Sequence, residues 1–143
     1  MNKINTMSRQ INKIIIHCTA TPEGRDVGVE EIRRWHVDER KWNDIGYHWI
    51  VTLNGTLEEG RKEYMQGAHA KGFNKNSVGV CYVGGVDENL EPKDTRTEGQ
   101  KETLKCILED LKDRYPQAQI IGHRDVAKKA CPSFDAREEY KDL

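Results

Sequence analysis

The sequence predicts an α/β fold: a single domain in which a central mixed β-sheet is flanked by helices. Three observations predict it. Short runs of β-branched and aromatic residues alternate with segments of helical periodicity, the pattern of a sheet covered by helices. An Asn54-Gly55 pair between two of those runs marks a hairpin, so the sheet is mixed rather than purely parallel. The 143 residues suffice for one hydrophobic core, and no internal repeat or low-complexity segment divides them.

Residues 1–12 read as a loosely held N-terminal arm, and 13–143 as the folded domain. Lys13 to Cys18 is a strand: Ile14, Ile15 and Ile16 are consecutive and β-branched, as in a strand buried on both faces. His17 falls at its C-terminal end, and Cys18 points to the opposite face. Thr19 to Gly28 is a loop by composition. Val29 to about Lys41 is one helix, with Val29, Ile32, Trp35 and His36 on a common face. His36 is a helix-face residue in this reading, not a ligand.

Tyr47 to Leu53 is a strand, and Thr56 to Glu59 is its return partner across the Asn54-Gly55 turn. Arg61 to Ser77 is a long polar loop, of the kind that carries binding residues. Val78 to Val83 is a central strand, closed by Gly84-Gly85, with Cys81 as a small buried hydrophobe. Val86 to Asp94 is a polar loop. Thr97 and Gln100 fit a capping box that starts a helix with Leu104, Ile107, Leu108 and Leu111 on one stripe, Cys106 off it, and Pro116 as its stop. Gln119 to Ile121 is the last strand, and Asp135 to Tyr140 a short closing helix.

The bulk numbers exclude several classes. Lysine plus arginine is 23 and aspartate plus glutamate 24, a net charge of −1, so there is no basic footprint for nucleic acid. No apolar run reaches the length of a membrane span. The first residues, MNKINTMSRQINK, carry no apolar core of a secretory leader. The expectation is therefore synthesis in the cytoplasm, and the four cysteines read as reduced.

The chemistry-bearing stretch is Gly122 to Asp135, GHRDVAKKACPSFD, a polar loop directly after an apolar strand. His123 and Cys131 are both good zinc ligands, but two ligands do not close a site. His17 is placed like His123, where an apolar strand meets a polar loop. It is either a hydrogen-bonded strand-end histidine or, if the two strands are neighbours, the third ligand. Two histidines and one cysteine would leave a fourth tetrahedral position for water, as in catalytic zinc sites. Tyr47 either projects into a cleft or packs as an ordinary strand tyrosine. His69 either contacts a ligand or is a solvated loop histidine.

Six segments carry a resemblance. They are Ile14-Ile-Ile-His17-Cys-Thr-Ala-Thr21, Trp42-Asn-Asp-Ile-Gly-Tyr47-His48, Gly67-Ala-His69-Ala-Lys-Gly-Phe-Asn74, Asn76-Ser-Val-Gly-Val80, Gly122-His123-Arg124-Asp125 and Lys129-Ala-Cys131-Pro-Ser-Phe-Asp135. In that order they resemble the type 2 N-acetylmuramoyl-L-alanine amidases, a family that includes amidase-type bacteriophage lysozymes and the animal peptidoglycan recognition proteins. The resemblance covers about residues 13–140. It implies a zinc site in a surface groove and hydrolysis of the amide between N-acetylmuramic acid and L-alanine in peptidoglycan.

Carried over by position, the resemblance makes His17, His123 and Cys131 the Zn2+ ligands, and Tyr47 and Lys129 the other catalytic residues. His69, Asn74 and Asn76 are the substrate-groove candidates, and Trp42 either stacks on a sugar there or simply packs. The Arg124-Asp125 pair after His123 is the form common among the recognition proteins, which leaves the source branch open. The partner it implies is peptidoglycan or its muropeptide fragments, bound by a monomer acting as a phage or prophage endolysin. Such an enzyme acts on the wall after release, or on wall fragments in the cytoplasm. Three alternatives stand beside it, one of them a structural zinc site in a non-enzyme, which usually takes four protein ligands where only three are named here. Another is a noncatalytic peptidoglycan-binding module, which in this family typically lacks the cysteine. The last is a regulatory protein, since some phage relatives inhibit a polymerase partner.

Overall fold

The computed structural model describes residues 9–143. Its centre is a five-stranded sheet. β1 (Lys13–Cys18), β3 (Trp49–Val51), β4 (Leu57–Glu59), β5 (Ser77–Tyr82) and β7 (Gln119–Gly122) lie in the order β4-β3-β5-β1-β7. All neighbours are parallel except the β3–β4 hairpin, so the sheet is mixed, as the Asn54-Gly55 turn predicts. Gly55 has φ +87°, a conformation that favours glycine.

The alternation of β1 distributes its side chains between two layers. Ile14, Ile16 and Cys18 join the core under α2 (Glu98–Arg114), together with Leu104, Ile107, Leu108 and Leu111. Ile15 faces the other way, against Ala70 and Ile121. Each fully buried aliphatic side chain contributes about 1.5–3 kcal/mol, so this stripe rather than helix propensity holds α2 in place. The capping box at its start is formed. Thr97 Oγ1 accepts from Gln100 N at 3.1 Å, and Gln100 Oε1 accepts from Thr97 N at 2.9 Å. The buried Gln100 amide also donates to the Val83 carbonyl at 2.9 Å, tying α2 to the end of β5.

Three local features differ from the sequence expectation. The helix expected over 29–41 is α1 (Val29–Arg34) followed by a wide π turn, Trp35–Glu39. The wider turn accompanies tertiary bonds of His36, whose Nδ1 accepts from Gly46 N at 2.9 Å and whose carbonyl accepts from Trp42 N. The strand expected over 47–53 is shorter, and Tyr47 and His48 lead into it. Two segments read as loop pair in parallel as β2 (Thr21–Pro22) and β6 (Gly85–Val86). Two residues are too few to show a period.

The chain closes with α3 (Ala136–Glu139), capped by Asp135 Oδ1. Of the arm expected over 1–12, residues 1–8 lie outside the described residues. Arg9 reaches across the 61–77 loop to the carbonyls of Glu63 and Ser77, and Asn12 N donates to Asn76 O. No helix among the described residues is long and apolar enough to cross a membrane. All four cysteines are free thiols.

Candidate active site

The parallel register of β1 and β7 builds the centre of the site. Ile16 pairs with Gly122, so the residues that follow, His17 and His123, emerge side by side at the same sheet end. Their ring centres are 4.6 Å apart. The segment carrying Cys131 folds back onto them, and Arg124 N donates to the Cys131 carbonyl at 2.7 Å. The segment is pinned further by Tyr82 Oη donating to Pro132 O and by Ser133 Oγ donating to Gly85 O, both at 2.7 Å. One donor atom from each of His17, His123 and Cys131 lies within 4.8 Å of the others, so the three could hold a metal ion.

Electrostatics suit that role. Burial pushes His17 well below its ordinary value, with the neighbouring histidines adding to it; burial and then Lys129 lower His123. Both rings are therefore neutral and offer lone pairs. The Cys18 thiol and burial push the Cys131 thiol up. A dication coordinated there would reverse that preference, because it would draw the proton off a ligating thiol. The Cys131 sulfur also accepts from Cys18 N at 3.1 Å, a bond that strengthens with negative charge on sulfur.

Tyr47 stands beside the cluster, its ring centre 5.1 Å from that of His17. Burial, followed by the facing sulfurs of Cys81, Cys131 and Cys18, raises its phenol well above the ordinary value, so it is a neutral O–H donor. Lys129 is exposed at the rim. It lines both the hollow of about 300 Å³ around His17, Tyr47, His123 and Cys131 and an adjoining groove of about 560 Å³. Lys128 lines neither. The larger groove is bounded by Trp42, His69, Lys71, Asn74 and His123.

The groove candidates separate on inspection. Asn74 lines the groove, but its Oδ1 is engaged with the backbone N–H groups of His69 and Ala70, both at 2.8 Å. Asn76 turns away and donates to the Gln10 carbonyl at 2.7 Å, and it does not line the groove. His69 is 8% exposed, and its Nδ1 lies 2.8 Å from His17 Nε2. Trp42 both lines the groove and packs on His36, ring centres 4.6 Å apart. Arg40 also borders the hollow, which the sequence reading missed because an exposed helix-end arginine carries no signal of its own.

The parallel-centred mixed sheet thus delivers two histidines and a returning cysteine, a set that could hold a metal ion, to one end beside an open groove. Residues 7–134 match the family model described as N-acetylmuramoyl-L-alanine amidase, and the chain belongs to that family. It is 46% identical over 142 residues to the endolysin of Enterobacteria phage K11, covering 99% of this chain and 93% of that protein. It is 47% identical over 124 residues to the endolysin of Escherichia phage T7, covering 87% and 82%. The fold is similar to that of the N-acetylmuramoyl-L-alanine amidase LysC from Clostridium intestinale URNW. That match has a TM-score of 0.77 at 26% identity, over 96% of this chain and 84% of the other.

Proposed function

We propose that this protein is a zinc-dependent N-acetylmuramoyl-L-alanine amidase that cuts peptidoglycan as a phage or prophage endolysin. The observation that carries the reading is the convergence of His17, His123 and Cys131 within 4.8 Å beside a groove that also presents Tyr47 and Lys129. Two imidazoles and one thiolate are a fitting donor set for zinc with one position left open. A zinc ion held by His17, His123 and Cys131 would supply Lewis acidity and would activate water for attack at neutral pH.

The chain's own residues account for the rest. The groove bounded by Trp42 and Lys71 seats the glycan-peptide strand so that the lactyl amide lies over the three donor residues. The neutral Tyr47 hydroxyl donates a hydrogen bond to oxygen at the reacting carbonyl. The Lys129 ammonium faces the negative charge that builds on that oxygen. Water adds to the carbonyl carbon, the C–N bond breaks, and the products are the muramic acid carboxylate and the free amine of L-alanine.

Mass spectrometry of the products from purified peptidoglycan tests this. Intact glycan chains plus peptides beginning with unblocked L-alanine are expected. The activity is expected to vanish on chelation and to return with zinc. Products cut within the glycan or the peptide stem would reject the reading. So would full activity in protein shown to be metal-free.

A further inference from the structure

The geometry points to His69 as a positioning residue that fixes the orientation and tautomer of His17 for metal binding. This rests on the zinc-site reading above. The sequence suggested a groove residue; the structure puts one face of this ring to a different use.

His17 Nε2 lies 2.8 Å from His69 Nδ1. One proton is shared by those two nitrogens, and its side decides what His17 can do. If His69 Nδ1 carries it, a neutral His17 must hold its own proton on Nδ1 and has no lone pair left for a metal. If His17 Nε2 carries it, Nδ1 of His17 is free to coordinate. The accepting tautomer of His69 has its proton on Nε2, and that atom lies 3.1 Å from Ser77 Oγ, which is placed to accept it. The chain His17 Nε2–H to His69 Nδ1, then His69 Nε2–H to Ser77 Oγ, satisfies every ring nitrogen except His17 Nδ1. Metal-binding histidines generally donate their second N–H to a fixed acceptor. Here that acceptor is another imidazole.

The packing shows why His69 holds that position. Its backbone N–H is tied to Asn74 Oδ1 at 2.8 Å. Its ring lies flat against the backbone of β5 at Gly79, where an added Cβ would come within 2.6–2.8 Å of three ring atoms. A Cβ on Gly67 would meet the same ring at 2.9 Å. The two glycines thus make the room this ring position needs, and the Asn74 cap holds its backbone.

The test uses the whole chain loaded with zinc. Long-range ¹H–¹⁵N NMR reads the tautomers directly: a protonated Nε2 and bare Nδ1 on His69, with Nε2–H on His17, are expected. Zinc affinity by competition with a chromophoric chelator is then compared across variants. His69→Leu and His69→Gln remove the acceptor facing His17 and should weaken zinc about 10- to 100-fold. His69→Asn keeps an oxygen near the Nδ1 position and should restore affinity to within a few-fold of wild type. A proton on His69 Nδ1 would overturn the assignment, and this result needs no variant. Unchanged zinc affinity in a folded His69→Gln protein would overturn it too, while leaving the amidase reading intact. Wild type that binds no zinc would bring down the site reading and this inference together.

Discussion

His17 and His123 stand with ring centres 4.6 Å apart because Ile16 and Gly122 are partners in the parallel β1–β7 ladder. The pair is set by strand register, and a slip of one residue would turn either ring to the other face of the sheet. Gly122 itself cannot grow. An added Cβ would lie 2.7 Å from Pro132 Cδ, next to Cys131. Gly122→Ala is therefore expected to push the cysteine segment outward. It should cost about 1–3 kcal/mol of stability, in the range of other overpacked sites. It should also weaken zinc binding, checked by thermal unfolding and chelator competition on the same sample.

Tyr47 and Lys129 border the hollow without belonging to the three-donor cluster. Tyr47→Phe and Lys129→Ala should each lower the hydrolysis rate on the order of 10²–10³-fold, the loss typical of one transition-state donor. Bound zinc should stay at the wild-type level. Lys128→Ala, one residue away and outside both cavities, should leave the rate within about twofold. Equal losses for Lys128 and Lys129 would show a general charge effect instead.

Stability should fall on the acid side. Burial pushes His48 down to about 4 against an ordinary 6.5, and the Gly79 N–H that donates to its Nδ1 at 3.0 Å would be lost on protonation. Burial, then Arg40 and Arg61, put His36 at about 4 as well. Below pH 6.5 the unfolded chain takes up these protons while the folded chain does not, so the unfolded state gains. The stability is fully present above about pH 6.5 and drains away as pH falls toward 4. For His48 alone this amounts to about 3 kcal/mol. Urea titrations from pH 7.5 to 4 check it; a flat profile would contradict it.

Arg96 braces the segment beyond Cys131. Its side chain is 2% exposed, forms ion pairs with Asp94 and Glu139, donates to Tyr140 Oη, and stacks 3.5 Å from the Phe134 ring centre. Losing one partner of a buried pair costs about 3–5 kcal/mol when the other charge is stranded. Asp94 and Glu139 remain 35% and 41% exposed, so water takes over part of the solvation. Arg96→Met, which keeps much of the packing, should therefore cost about 2–3 kcal/mol in denaturant unfolding.

Much of this was legible in the sequence because the signals are local and periodic. The Ile14–Ile16 run, the Asn54-Gly55 turn and the Thr97–Gln100 box each act over a few residues, and each formed where expected. His17, His123 and Cys131 could be grouped because each histidine sits where an apolar strand gives way to a polar loop and family motifs fix the order. What was not legible depends on partners distant in the chain. The β2–β6 ladder joins two-residue pieces more than 60 positions apart. The π turn answers to Gly46 and Trp42 rather than to its own residues. His69 meets His17 across 52 positions, and Asn76 meets Gln10 across 66, so neither partner could be read from spacing.

The most direct test is release of free L-alanine amino groups from purified peptidoglycan by wild type and Cys131→Ser, with bound zinc measured in both. The account predicts about one zinc per wild-type chain and new amino termini, with both lost in the variant. Wild type that carries zinc and binds the polymer yet releases no amine would contradict it, and would make the chain a recognition module.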